Sequence, residues 1–415
     1  MSVTRAPIVV MKFGGTSVGD VQRIQHVAEV VAGLKREHPT TGVVVVLSAM
    51  AGETNRLVDL AKSCVVRPNP RELDVLLASG EQVTIALLAM RLQEMGFPAR
   101  SLLGSQVEIK TNARHNQAQI EEIRLKAVTQ LLESDTIPVV AGFQGVADDG
   151  SITTLGRGGS DITAVALAAA LQAQTCFIYT DVRGVFSADP RLCRSARLLP
   201  YVSHEEMLEL ASLGAKVLHA RSVYFAMRYE VPLVVLSTFD GPYLPGINGT
   251  QIVCEEVLME KALVTGVTHR ADEAQFTIQR MSEGIGAIAR LFDVLAEREV
   301  FVDMISQESV GEGLVNVSLT VAGEHVDVAQ ETIARILPDL CAQGVQVARD
   351  IAKVSVVGIG MQYHTGVAAR VFKVLAKENI QVLMVNTSEI KISVLVPRKY
   401  CEVAVRALHE EFVAA

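Results

Sequence analysis

The chain has 415 residues, 49% of them hydrophobic and 20% charged, with a formal net charge of −8. That length accommodates two or three domains with well-buried cores, and an acidic balance with no basic stripe sets nucleic acid aside as a partner. No apolar run approaches a membrane span, MSVTRAPIVVMKFGG breaks at Lys12 before a signal-peptide core, and Cys64, Cys176, Cys193, Cys254, Cys341 and Cys401 show no CxxC spacing, so the expectation is a reduced cytoplasmic protein with no membrane partner, disulfide frame or zinc site.

PIVVMKF is the first of five continuous apolar runs that read as buried strands; TGVVVVLSA, TIPVVAGF, CFIYTDV and VPLVVLS follow. Between them VQRIQHVAEVVAGLKRE, ELDVLLASGEQVTIALLAMRLQEMG, DITAVALAAALQA and HEEMLELASLGAKVLHARSVYFAMR carry helical spacing. Strands alternating with helices predict an α/β fold with a mostly parallel sheet covered by helices on both faces. Such sheets bind ligands beyond the carboxyl ends of their strands, so the loops after the strands are where chemistry is expected.

The first of these loops, MKFGGTS, combines Gly14 and Gly15 with the point charge of Lys12 and the hydroxyls of Thr16 and Ser17. Its composition suits a phosphate cradle, although it is not a Walker A loop; taken alone, the loop reads more simply as an ordinary turn with a solvated lysine. LSAMAGETN follows the second strand with Ser48 and Thr54 at its ends, either a binding loop or a capped connection to a helix. In ASGEQVT, Glu81 stands near the start of an apolar helix, where a carboxylate either compensates the helix dipole or, if buried, demands a partner. TTLGRGGSD places Arg157 among Gly156, Gly158 and Gly159, ahead of Ser160 and Asp161 at a helix start. Arginine can grip a carboxylate with two parallel hydrogen bonds, and glycines let a ligand approach the backbone; a flexible loop ending in a Ser or Asp cap is the alternative. YTDVRGVFSADPR offers Asp181 and Asp189 to a nucleotide or its metal and Phe186 to a base, and GAKVLH puts Lys216 in or beside a helix.

FDGPYLPGINGTQ (239–251) concentrates Gly, Pro and Asn and reads as a linker. Beyond it GAIARLFDVLAEREVFVDMI (286–305) matches GVAARVFKVLAKENIQVLMV (366–385) at an offset of 80, with Gly286/Gly366, Ala289/Ala369, Arg290/Arg370, Phe292/Phe372, Leu295/Leu375, Val302/Val382 and Met304/Met384 identical. Two copies of a small βαββαβ unit are the economical reading.

Taken in order, KFGGTS, SAMAGETN, SGEQ, TTLGRGGSD, YTDVRGVFSADPR and GAKVLHARSV closely resemble the aspartokinases of the amino acid kinase family, whose chains also end in two ACT units, so the resemblance covers essentially the whole chain. It implies a catalytic domain over 1–250, a linker over 251–264 and ACT-like domains over 265–347 and 348–415. The implied activity is ATP- and Mg²⁺-dependent phosphorylation of the side-chain carboxylate of L-aspartate, the first step toward lysine, threonine and methionine. The implied catalytic residues are Lys12, Asp161 and Lys216. Substrate is assigned to Ser48, Thr54, Glu81, Arg157, Gly158, Gly159 and Ser160, with Arg157 on the α-carboxylate and Glu81 on the α-ammonium. Nucleotide is assigned to Lys12, Phe13, Gly14, Gly15, Thr180, Asp181, Phe186, Ser187, Asp189, Arg191 and Lys216, and no protein residue is assigned as a metal ligand.

The same resemblance implies feedback by lysine, threonine or both, and a homo- or hetero-oligomer joined through the ACT units. The chain departs from the family pattern at Ile285, where a proline is common, and at Gln307-Glu308, where Gln-Asn is common. The second copy keeps the pattern, so Asn386, Thr387, Ser388 and Glu389 are the expected effector residues. Two other readings are a kinase for glutamate or N-acetylglutamate and a non-catalytic amino-acid sensor.

Overall fold

The computed structural model describes residues 6–215, 217–240, 249–255 and 262–414. Two compact units share the chain: Met1–Phe186 with Arg197–Glu260, and Ser187–Ala196 with Lys261–Ala415.

The first unit opens with β1 (Ile8–Phe13), α1 (Val21–Glu37), β2 (Gly42–Leu47), α2 (Glu53–Cys64), α3 (Pro70–Glu94), β3 (Ala99–Leu102) and α4 (Gly104–Val107). It continues through β4 (Ile109–Thr111), β5 (Ile120–Ile123), α5 (Lys126–Glu133), β6 (Ile137–Ala141), β7 (Gln144–Val146), β8 (Ile152–Thr154) and α6 (Gly159–Leu171). It closes with β9 (Thr175–Thr180), β10 (Tyr201–Ser203), α7 (His204–Ser212), α8 (Ala220–Arg228), β11 (Leu233–Ser237) and β12 (Thr250–Val253). Eight strands form one sheet in the order β10-β12-β11-β9-β1-β2-β6-β3. All its pairs are parallel except β11 with β12. The five apolar runs of the sequence are its central strands, buried along almost their whole length. Side chains of β1, β2 and β6 meet α1 and α3 in one core, where each buried Val or Leu contributes roughly 1.5–3 kcal/mol. A second, four-stranded sheet runs β5-β4-β7-β8.

Three expectations change here. The stretch from His204 to Arg228 is two helices, α7 and α8, because Gly214 takes φ 127 between them. Gln251, read as linker, lies in β12 and pairs with Tyr201 and Val234. Finally, α3 is long and apolar enough to cross a bilayer by length and composition. Half of that window is buried inside the protein, with Asp74 and Glu81 on the buried face, so α3 is a core helix here.

The second unit comprises β13 (Gly266–Ser282), α9 (Ile285–Glu297), β14 (Val302–Gly311), β15 (Leu314–Ala322), α10 (Val326–Ile336), β16 (Gly344–Val357), α11 (Val367–Lys377), β17 (Met384–Thr387), β18 (Lys391–Pro397) and α12 (Cys401–His409). Its two repeat copies share one sheet, β14-β15-β13-β16-β18-β17. The long strands β13 and β16 serve both: Gly266–Arg270 pairs with Lys353–Val357, and Gln275–Gln279 with Gly344–Ala348. Each copy nevertheless has its own core, one under α9 and α10 and one under α11 and α12. Leu291 and Leu295 in α9 and their repeat partners Val371 and Leu375 in α11 are all buried. Ala188 and Cys193, from the ten-residue excursion Ser187–Ala196, join the second core. Val267 donates its N–H to Ser187 O at 2.7 Å. Buried His409 meets Ser187 Oγ at 2.8 Å and Ser195 Oγ at 3.3 Å.

Candidate active site

Lys12 is the last but one residue of β1 and is 92% buried in relative terms, its side chain only 10% exposed. Its Nζ lies 2.5 Å from Asp161 Oδ1. Asp161 is the third residue of α6, so the carboxylate also sits at the positive end of a helix dipole. Gly158 is the helix cap, in a left-handed conformation with no side chain to cap with, so neither Ser160 nor Asp161 plays the capping role that sequence left open. Asp161 is thereby free to face Lys12 across the mouth of the sheet. Gly14 N–H donates to Tyr179 O at 3.2 Å, tying the glycine pair to the end of β9. Phe13 is fully buried and stacked on Tyr179 at 4.6 Å, so toward a nucleotide it can offer only backbone.

Glu81 is placed by helix packing. It lies eleven residues into α3, which starts at Pro70 under an Asn69 cap, so dipole compensation at a helix start does not explain it. A Cβ on Gly80 would stand 2.8 Å from Ala49 Cβ; only a glycine lets α3 close this far on the loop after β2. That approach brings Glu81 Oε1 within 3.0 Å of the Ala49 N–H it accepts from, while Thr84 Oγ1 donates to Ser48 O at 2.9 Å. Burial pushes the Glu81 carboxyl up to about 7, against the lowering effect of the Ala49 bond. Oε2 is buried without a hydrogen-bond partner, an acceptor waiting for a donor. Ser48 follows β2, and Thr54 stands in the first turn of α2; both are half-buried.

Arg157 is exposed on the loop between β8 and α6, flanked by Gly156 (φ 75) and Gly158 (φ 70), conformations that side chains resist. Gly159 and Ser160 open α6 and are buried. Thr180 ends β9, and its hydroxyl donates to exposed Asp181 at 3.1 Å. Phe186 is half-buried and bridges Leu198. Ser187, Asp189 and Arg191 belong to the second unit, with Ser187 held by His409. The Arg191 guanidinium takes Asp189 at 3.0 and 2.7 Å and holds that carboxyl below its usual range. Lys216 lies outside the described residues.

Asn386 and Thr387 are in β17, one edge of the six-stranded sheet; Ser388 N–H donates to Lys391 O at 2.9 Å, and Glu389 is exposed. Ile285 opens α9 with 80% of its surface exposed, and Glu308 lies on β14, the opposite edge.

Sequence reasoning passed over Asp74, which is fully buried in α3, seven residues before Glu81. It accepts from Thr154 Oγ1 (2.5 Å) and the Asn116 N–H (3.1 Å), and lies 2.7 Å from His115 Nδ1, anchoring the strand that leads into the Arg157 loop. An acid on the buried face of an apolar helix was the available signal.

Comparison with known proteins gives a consistent picture. Residues 7–237 match the amino acid kinase family and residues 354–412 match an ACT domain. An aspartate kinase of Pseudomonas putida is 48% identical over 409 residues, 98% of this chain and 97% of that protein. An aspartokinase of Geobacillus stearothermophilus is 47% identical over 98% of this chain and 97% of its own. Among solved structures, E. coli aspartokinase III in complex with aspartate and ADP superposes with a TM-score of 0.82 at 27% identity, covering 97% of this chain and 99% of that one. The same enzyme with lysine and aspartate gives 0.75 at 28% identity, over 98% and 99%.

Proposed function

Because this chain belongs to the amino acid kinase family, as one of its ACT-bearing aspartokinases, we propose a division of labour among its site residues in phosphorylating aspartate with ATP. The enzyme transfers a phosphoryl group to the side-chain carboxylate of L-aspartate and carries ACT-type regulation. The observation that carries our site reading is the Lys12–Asp161 pair beside the glycine loop, whose Gly15 O accepts the Ala51 N–H at 3.1 Å from the same loop after β2 that Glu81 grips at Ala49.

The attacking group is already an anion at neutral pH, since a free aspartate side chain has a pKa of about 3.9. Asp161 therefore need not remove a proton; it holds Lys12 toward the phosphates, and Lys216 joins it there. Catalysis is positioning and charge neutralisation, with Lys12, Lys216 and the Gly15 N–H facing the developing charge, while Phe13 and Gly14, whose N–H is tied to Tyr179 O, shape the loop that lets the phosphates approach. Thr180, Asp181 and Phe186 take the rest of the nucleotide, while Ser187, Asp189 and Arg191 keep that segment on course. Mg²⁺ would come with the ATP phosphates and supply further charge neutralisation there, and this reading assigns it no protein ligand.

Aspartate lies with its α-carboxylate on Arg157 and its α-ammonium on the open Oε2 of Glu81, with Ser48, Thr54, Gly158, Gly159 and Ser160 around it. The organisation we propose is a catalytic domain over 1–250 whose last strand, β12, runs on to Val253, a linker over the rest of 251–264 and ACT-like domains over 265–347 and 348–415, in a cytoplasmic enzyme. Both edges of the second unit's sheet, β14 and β17, offer backbone donors and acceptors. There we place the contacts of an oligomer and an effector site at Asn386, Thr387, Ser388 and Glu389 for lysine or threonine. E. coli aspartokinase III has been solved with lysine bound, which supports that class of effector.

ADP release measured with aspartate, glutamate and N-acetylglutamate tests the substrate reading. Turnover is expected with aspartate; turnover on glutamate alone would overturn it, and binding of aspartate and ATP without ADP release would favour the sensor.

A further inference from the structure

Arg157 is an exposed residue on a glycine-flanked loop, yet a carboxylate clamp must hold its geometry. The loop's firmness comes from the start of α8. Arg221, the second residue of that helix, sends Nη1 to Leu155 O at 2.6 Å and Nη2 to Ala118 O at 3.2 Å. Leu155 is two residues before Arg157, and Ala118 N–H is itself bonded to Thr154 O at 2.9 Å. One guanidinium thus joins the β8 strand end to the segment beside it, and partial desolvation of that head group on an otherwise exposed residue lowers its pKa. On the other side of Arg157, a Cβ added to Gly158 would fall 2.3 Å from His219 Cβ and 2.4 Å from its Cγ. The His219 ring occupies the space that a side chain at 158 would need, and its Nδ1 accepts the Arg221 N–H at 3.3 Å as the helix cap. With Nδ1 accepting, the neutral ring carries its proton on Nε2.

We propose that Arg221 and His219 are positioning residues for aspartate: they fix the loop on both sides of Arg157 and so set its guanidinium for the α-carboxylate. This rests on Arg157 being that clamp. Arg221 is suited to the task because a planar fork can bind two carbonyl oxygens at once, which a lysine cannot. Neither residue need touch substrate, so their loss acts on aspartate and not on the nucleotide.

The test is a set of steady-state measurements on the full chain: Arg221→Met, Arg221→Lys, His219→Ala, Arg157→Ala and the Arg157→Ala/Arg221→Met double variant. Arg221→Met is expected to raise the aspartate KM about tenfold, as for loss of a hydrogen bond to a charged donor, with the ATP KM within about twofold of wild type. Arg221→Lys, which keeps one bond, falls between the two and can be read if the methionine variant does not fold. His219→Ala raises the aspartate KM in the same direction. In the Arg157→Ala background Arg221→Met has no further effect, because the group it positions is gone. An Arg157→Ala variant with an unchanged aspartate KM would refute the clamp itself. A large effect of Arg157→Ala with none from either Arg221 variant would refute the positioning role alone. So would Arg221 effects that multiply with Arg157→Ala or that raise both KM values equally.

Discussion

With its carboxyl pushed up to about 7 from 4.5 by burial, Glu81 makes the stability of the ligand-free enzyme depend on pH in a definite direction. The folded carboxyl keeps its proton up to about pH 7, while the unfolded one loses it near 4.5. Between those values the native state binds more protons, so stability falls as pH rises, by about 3 kcal/mol in all. Glu81→Gln removes this dependence. Denaturant unfolding of both proteins at pH 5 and pH 8 should show the wild type losing ground to the variant, and parallel losses would mean that Glu81 does not titrate there. Aspartate adds the opposite pull, since an ammonium beside Oε2 favours the ionised form. Binding near pH 7 should therefore release protons, visible calorimetrically as a buffer-dependent enthalpy that Glu81→Gln lacks. At Arg157, lysine keeps the charge and loses the fork; with such hydrogen bonds worth about 1.5–3 kcal/mol, kcat/KM for aspartate should fall roughly tenfold to a hundredfold. An unchanged kcat/KM would remove Arg157 from the clamp.

Between elements, one close approach at the site is that of Gly80 of α3 to Ala49. Gly80→Ala sets two effects against each other: alanine favours the helix by about 1 kcal/mol, whereas overpacking costs about 1–3 kcal/mol. The contact is with backbone-anchored Cβ, so overpacking should win and push α3 off the loop, stretching the Glu81–Ala49 bond. A lower melting temperature with a raised aspartate KM is expected; a more stable enzyme with normal KM would show the helix free to shift. Elements of this kind differ in how well sequence reveals them. The central strands were legible because each is a continuous apolar run. The outer strands β3, β10 and β12 and the whole second sheet were not, being three or four residues long, too short to show a period. The α7–α8 break was read through because its residues keep helical spacing past Gly214. In the site, glycine loops and Lys12 declared themselves locally. Arg221 and Asp74 did not, since their partners lie 103 and 80 residues away, at Ala118 and Thr154, and Arg221's are backbone carbonyls that no residue type betrays.

Across the whole molecule, regulation and catalysis share a chain that does not divide at one point. Lysine and threonine, titrated singly and together against activity, should inhibit in at least one combination, and Asn386→Ala should weaken that inhibition without changing the uninhibited rate. No inhibition in any combination would leave the repeat as an assembly module. A chain ending at residue 260 would lack the partners of Ser187–Ala196, and Cys193, 3% exposed in the full protein, should then react readily with a thiol reagent. Continued protection in the shortened chain would mean the excursion holds its shape unaided.

The grip of His409 on Ser187 also orders events in time. During synthesis the serine is made 222 residues before its histidine, a delay of roughly ten to forty-five seconds at about 5–20 residues per second. Through that interval every nascent chain carries Ser187 without its histidine, whatever else has already folded. A ribosome that stalls before codon 409 yields a protein in which Ser187 and Ser195 never meet that ring. Completion of the last helix thus closes this contact, and an unfinished copy lacks it.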